Sequence, residues 1–405
     1  MINKKMEELG TKKSTIRELF EYGKLLAEER GSENVYDYSL GNPSVAPPKE
    51  ISEAISYLLE NSKSSELHGY TSAIGDKEAR VAIANEIKTK FNFPADHSLI
   101  YICTGAAGAL TSVIRAITND GEKIAVFAPY FPEYKVFAES NGSSLKIINC
   151  KEPDFRPDIE LFEKEIDETI AAVIINSPNN PTGAVYTKED ISAISEILKK
   201  KSLEFGHPIY IISDEPYREL AYDGVEVPFI PSYYDNTIIC YSYSKSLSIP
   251  GERIGYIFVS PNTDDAPLVY SAICGASRSL GFVCAPSLWQ KMIPLVIGKT
   301  SDIHIYDENR KILTDALSLY GFEMAKPKGA FYLFLKVPGD NAYAFSEAAK
   351  KYGLLLVPSD DFGYPGYVRI AYCQNTDMIK RSLPCFKKLA EEFKNTNKDL
   401  KNERS

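Results

Sequence analysis

One lysine stands among hydroxyls in Ser242-Tyr243-Ser244-Lys245-Ser246, and an arginine closes the turn Pro250-Gly251-Glu252-Arg253 a few residues later. A lysine amine condenses with an aldehyde to give an imine, while Ser242 and Arg253 can hold a phosphate. The segment therefore suits an aldehyde cofactor that carries a phosphate. A plain surface lysine needs no such arrangement. Upstream, Asp214 follows the apolar run Ile209-Tyr210-Ile211-Ile212 and sits where a buried strand ends. A carboxylate there can keep a pyridine nitrogen protonated, although an aspartate after a strand also suits a helix N-cap. Between Thr104 and a helix expected to begin at Gly108, the small residues Gly105, Ala106 and Ala107 leave backbone N–H groups free to face an anion.

In chain order the sequence also carries Gly41-Asn42-Pro43, Tyr70, Pro129-Tyr130-Phe131, Asn176 to Gly183, Pro327 to Tyr332 and Tyr367-Val368-Arg369-Ile370. Taken together, from about Tyr38 to Tyr372, these pieces resemble the aspartate aminotransferase family, the class I/II aminotransferases of fold type I, whose cofactor is pyridoxal 5'-phosphate. The resemblance implies that Lys245 carries the cofactor and moves the substrate proton, that Asp214 faces the pyridine nitrogen, and that Tyr217 and Asn180 hydrogen-bond the phenolate oxygen. It assigns Phe131 to stacking on the ring, where tryptophan or tyrosine often stands, and keeps the face contact without a polar edge. Tyr70 is expected to reach the phosphate from a second subunit, joining Ser242, Arg253 and the Gly105 to Ala107 turn. Ala106-Ala107 replaces a second glycine or a polar residue, which preserves backbone donors and loses a side-chain contact. Arg369, completed by Gly41 and Asn180, is expected to fork onto the substrate α-carboxylate.

The implied activity is that of a homodimeric aminotransferase with shared sites and a ping-pong cycle, with aspartate and 2-oxoglutarate as the first substrates to consider. Arg278 is the candidate for a second substrate carboxylate, across the subunit interface. A carbon–sulfur β-lyase of the same fold would use the same lysine, aspartate and arginine. A cofactor-binding regulator of transcription would need a DNA-binding module, and the N-terminal helix is too small for one.

Positioning these residues takes a large α/β frame. A chain of 405 residues exceeds one ordinary core. The expected division is an N-terminal arm contributing to a small domain (residues 1–45), a large cofactor-binding domain (46–295) and a small α+β domain (296–405). Apolar runs at residues 99–102, 123–127, 145–148, 171–175, 209–212, 237–240 and 255–259 alternate with helices. They predict a mainly parallel seven-stranded sheet covered on both faces, with ligands at the strand ends. The N-terminal thirty residues read as an amphipathic helix, and residues 295–320 as a long helix leading to a short sheet of runs 331–335, 354–357 and 367–371. The polar tail from Lys394 is expected to fray.

A net charge of −9, from 46 basic and 55 acidic residues, argues against a nucleic-acid surface. The chain has no apolar run of membrane length and no apolar block at its N-terminus, so a cytoplasmic protein is expected. Seven cysteines without Cys-x-x-Cys spacing and only four histidines suggest neither a disulfide framework nor a metal site. Cys103 and Cys240 read as small buried hydrophobes.

Overall fold

The computed structural model describes residues 2–11 and 14–402. All seven apolar runs join one sheet, which a further short strand, Arg156–Pro157, extends to eight. Across the sheet the order is Ile100–Cys103, Gly255–Val259, Thr237–Ser242, Tyr210–Asp214, Ile170–Asn176, Lys123–Ala128, Ser144–Lys151 and Arg156–Pro157. Gly255–Val259 runs against both neighbours and Arg156–Pro157 against its one neighbour; the other pairings are parallel. Every residue of Ile170–Asn176 and Thr237–Ser242 is buried. Helices cover both faces there, which is why these strands read as continuous apolar runs rather than alternating ones. The Cys103 and Cys240 thiols are buried and free, as expected.

The sheet register brings the chemistry together. Asn176 lies opposite Asp214, Asp214 opposite Cys240, and Gly255 opposite both Ser242 and Cys103. The carboxyl ends of four strands therefore share one edge, where parallel sheets bind ligands.

A second sheet has Tyr367–Ala371 at its centre, antiparallel to both Tyr332–Lys336 and Val357–Pro358. Here Arg369 pairs with Phe334 on one side and Val357 on the other. The expected 354–357 strand is split. Leu354–Leu355 turns away to pair in parallel with Tyr36–Asp37, an N-terminal strand too short to be seen in the sequence. Phe334 and Tyr367 stack at 4.7 Å and share a core cluster with residues of the large sheet, so the two sheets meet through packed aromatics.

Two expected helices differ, and so does the tail. The N-terminal one is two, Lys4–Thr11 and Thr15–Arg30, with residues 12–13 outside the described ones. The long one is also two, Ser287–Val296 and His304–Leu319, because Gly298 adopts a positive φ between them. Beyond Lys394 the backbone continues the Thr376–Asn402 helix instead of fraying, although Asn395, Thr396, Asn397 and Asp399 are weak helix formers: the packed turns before them supply the nucleus, and each further residue only has to propagate it. Residues 403–405 of that tail lie outside the described ones. No helix among the described residues is long and apolar enough to cross a membrane.

Candidate active site

Lys245 sits on a single turn, Tyr243–Ser246, which begins as the Thr237–Ser242 strand ends. The Ser242 hydroxyl caps that turn, accepting the Ser244 N–H at 3.2 Å and donating to Ser244 Oγ at 2.8 Å. The lysine Nζ donates to the Gly41 carbonyl at 2.6 Å. Any residue larger than Gly41 would have to displace Tyr332, since a Cβ would stand 2.0 Å from Tyr332 Oη. Burial lowers the Lys245 ammonium from its ordinary value to about 8, with repulsion from Arg253 and Arg369 adding to the shift and Cys373 opposing it. The neutral amine is therefore a minor form near neutral pH, but far more populated than in an ordinary lysine.

Asp214 ends its strand fully inside the protein. Tyr134 Oη donates to Asp214 Oδ2 at 2.5 Å, and Asn176 Nδ2 donates to the same oxygen at 3.3 Å and to the Asp214 carbonyl at 3.0 Å. Oδ1 has no hydrogen-bond partner among the described residues. Burial pushes this carboxyl up to about 7; the Tyr134 hydrogen bond opposes the shift and nearby Glu215 adds to it. Glu215 is itself engaged by the Arg218 guanidinium and the Ser213 hydroxyl.

Arg369, 2% exposed, is a cation with no carboxylate partner among the described residues. Its Nη1 donates to Asn180 Oδ1 at 3.1 Å and its Nη2 to the Ser39 carbonyl, while Nε is buried without a partner. Tyr332 and Phe362 rings flank it at 4.7 and 5.2 Å. An unpaired buried charge is costly, so the arrangement calls for an incoming anion. Asn180 is held in turn by its own backbone N–H, which donates to Asn176 Oδ1 at 2.8 Å.

The expected anion turn is sharper than the sequence suggests. The helix starts at Gly105, not Gly108, so Gly105, Ala106 and Ala107 form its first turn. Thr104 offers no side-chain cap, and the leading N–H groups stay open. Gly105 has φ +76°, and a Cβ there would stand 3.0 Å from Arg253 Nη2. Arg253, itself left-handed at φ 51°, is thereby laid beside the helix start.

A cleft of about 320 Å³ joins these groups: Lys245, Asp214, Tyr217, Asn180, Ser242, Arg253, Arg369, Gly41, Ala106, Ala107 and Phe131 all line it. Tyr217 Oη lies 2.9 Å from Tyr332 Oη. Gly105 stands just behind the lining, under Arg253. Two candidates are not in this chain's own cleft. Tyr70 is 98% exposed, and Arg278 lies exposed on the Ala266–Leu280 helix. Tyr134, Asn176, Tyr332 and Ser244 contribute without having been singled out. So do Ser14, Ile16 and Arg17 at the start of the Thr15–Arg30 helix. The spacing Phe131 to Tyr134 was the available signal for Tyr134, because the tight turn that sets the Tyr134 N–H on the Phe131 carbonyl at 3.1 Å brings the two rings edge to face at 5.6 Å.

The family description "Aminotransferase class I and II" matches residues 32–383. The chain belongs to the class I and II aminotransferases. It is similar to an amino transferase of Eubacterium rectale, with 48% identity and a TM-score of 0.95 over 97% of this chain and 99% of that one. It is 26% identical to the aspartate aminotransferase of Thermotoga maritima over 95% of this chain and 97% of the relative. It is 28% identical to aromatic-amino-acid aminotransferase 2 of Thermococcus litoralis over 94% and 96%. The protein is thus a pyridoxal 5'-phosphate-dependent transaminase of fold type I. The orphaned Asp214 Oδ1, the uncapped helix start beside Arg253 and the aromatic Phe131 fit a ring with a cationic nitrogen and a phosphate.

Proposed function

We propose that this aminotransferase moves an amino group from an acidic L-amino acid, aspartate first, to 2-oxoglutarate by a ping-pong cycle centred on Lys245. The observation that carries the reading is buried Arg369, unmatched by any described carboxylate, in the same cleft as Lys245. Bound there, pyridoxal phosphate supplies an aldehyde carbon for the amine and an electron sink for the deprotonated substrate. Lys245 Nζ would hold that aldehyde carbon, and as a free neutral amine it would move the proton from the substrate Cα. Its depressed affinity for protons keeps the neutral base available. Asp214, steadied by Tyr134 and Asn176, holds a proton on the ring nitrogen through Oδ1. Tyr217 and Asn180 donate to the phenolate oxygen; the Asn180 carboxamide oxygen is already taken by Arg369, which leaves its N–H₂ group as the donor. The N–H groups of Gly105, Ala106 and Ala107, with Ser242 and Arg253, hold the phosphate, and Phe131 covers the ring. Arg369, with Gly41 and Asn180 alongside, orients the α-carboxylate and so selects the Cα–H bond.

The reading includes a homodimer in which the partner's Tyr70 completes each phosphate site. It also includes closure of a small domain (residues 296–405 with 1–45) over the large one (46–295). The test is a single-turnover absorbance scan of cofactor-loaded protein against a panel of amino acids without an oxo acid, with pyruvate and ammonia assayed afterwards. Aspartate or glutamate should convert the cofactor once to its amine form. Repeated release of pyruvate and ammonia from cystathionine alone would replace this reading with a β-lyase.

A further inference from the structure

Six ionisable side chains line the cleft: the basic Arg17, Lys245, Arg253 and Arg369 and the acidic Glu133 and Asp214. The proposed roles use four of them and leave Arg17 and Glu133. We propose that Arg17 binds the distal carboxylate of a dicarboxylic substrate, within one chain and without a partner subunit's arginine. This rests on the reading of Arg369 as the α-carboxylate site.

Arg17 occupies the first turn of the Thr15–Arg30 helix, exposed to solvent, and no ion pair or side-chain hydrogen bond ties it to another described residue. Its backbone is not loose. Thr15 Oγ1 donates to Asp361 Oδ2 at 2.6 Å, and Leu19 is buried against Val357 and Phe362, with Ile16 beside them. Phe362 lies 5.2 Å from the Arg369 guanidinium, and Val357 pairs with Arg369 across the strands. One small apolar cluster therefore fixes the helix that carries Arg17 relative to the strand that carries Arg369. Two arginines with fixed backbones and no carboxylate of their own present a fork at each end of a short diacid.

Glu133 is the competing recognition group. It lies in the first turn of the Glu133–Ser140 helix, where the helix dipole favours its charge, and would suit a distal ammonium instead.

The experiment compares the parent with R17A and R17K, all cofactor-loaded, in half-reactions with aspartate, alanine and lysine. Maleate and crotonate serve as non-reacting probes of binding. Loss of one charge-assisted contact should lower the aspartate-to-alanine ratio of kcat/KM by roughly 10- to 100-fold in R17A, mostly through KM, with partial recovery in R17K. Maleate should bind R17A more weakly by a similar factor, while crotonate binding is unchanged. An unchanged aspartate-to-alanine ratio, an equal loss of maleate and crotonate binding, or lysine as the parent's preferred substrate overturns the proposal. Arg369→Ala is the separate check on the underlying reading: if it reacts with alanine at the parental rate, the α-carboxylate assignment fails, whatever R17A does.

Discussion

Asp214 shows how one side chain is poised by its surroundings. In the folded, cofactor-free protein its carboxyl keeps a proton up to about pH 7, against an ordinary 3.8. The folded state thus binds the extra proton between those values, so this residue's contribution to stability falls as pH rises from about 4 to about 7 and stays lower above. Asp214→Asn removes the titration. Denaturant unfolding of the cofactor-free proteins should show the variant gaining roughly 2–4 kcal/mol on the parent at pH 8, relative to their difference at pH 4. Loaded with cofactor the order of merit reverses: without a charge to hold the ring nitrogen protonated, the variant's turnover should fall by about 100-fold or more. A pH-independent stability difference would mean that Asp214 is ionised in the cofactor-free fold.

At the scale of elements, the close approach of Gly41 to Tyr332 joins the N-terminal arm to the small sheet beneath Lys245. Gly41→Ala must displace Tyr332, which in turn meets Tyr217. It should cost about 1–3 kcal/mol of stability, measured by denaturant unfolding, and most of the activity. Gly10→Ala has open space around it and should cost neither. Much of this frame was legible in the sequence because buried parallel strands read as apolar runs, and because Lys245, Asp214, Asn180 and Arg369 stand directly at or after strands. Tyr36–Asp37 was not legible, since two residues carry no period and are strand only through pairing with Leu354–Leu355. Nor were Tyr134 and Arg17. A tyrosine on an amphipathic helix reads as core and an arginine as solvent face, and only the packing of those helices sets the Tyr134 hydroxyl on Asp214 and Arg17 at the rim of the cleft.

For the whole molecule, the exposed Tyr70 ring has no role in its own chain's cleft, and the proposed dimer gives it one. Mixing Lys245→Ala with Tyr70→Ala protein under conditions of subunit exchange should restore activity. Random pairing makes about half the dimers mixed, each with one intact and one doubly altered site, or about a quarter of parental activity. Restoration well below that, with exchange verified by mass, would place Tyr70 outside a shared site. The most direct test of the central claim is borohydride reduction of the cofactor-loaded protein, followed by mass mapping of its peptides. One reduced cofactor adduct is expected, on the peptide containing Lys245 and on that residue; an adduct on another lysine, or none, would show that Lys245 does not carry the cofactor.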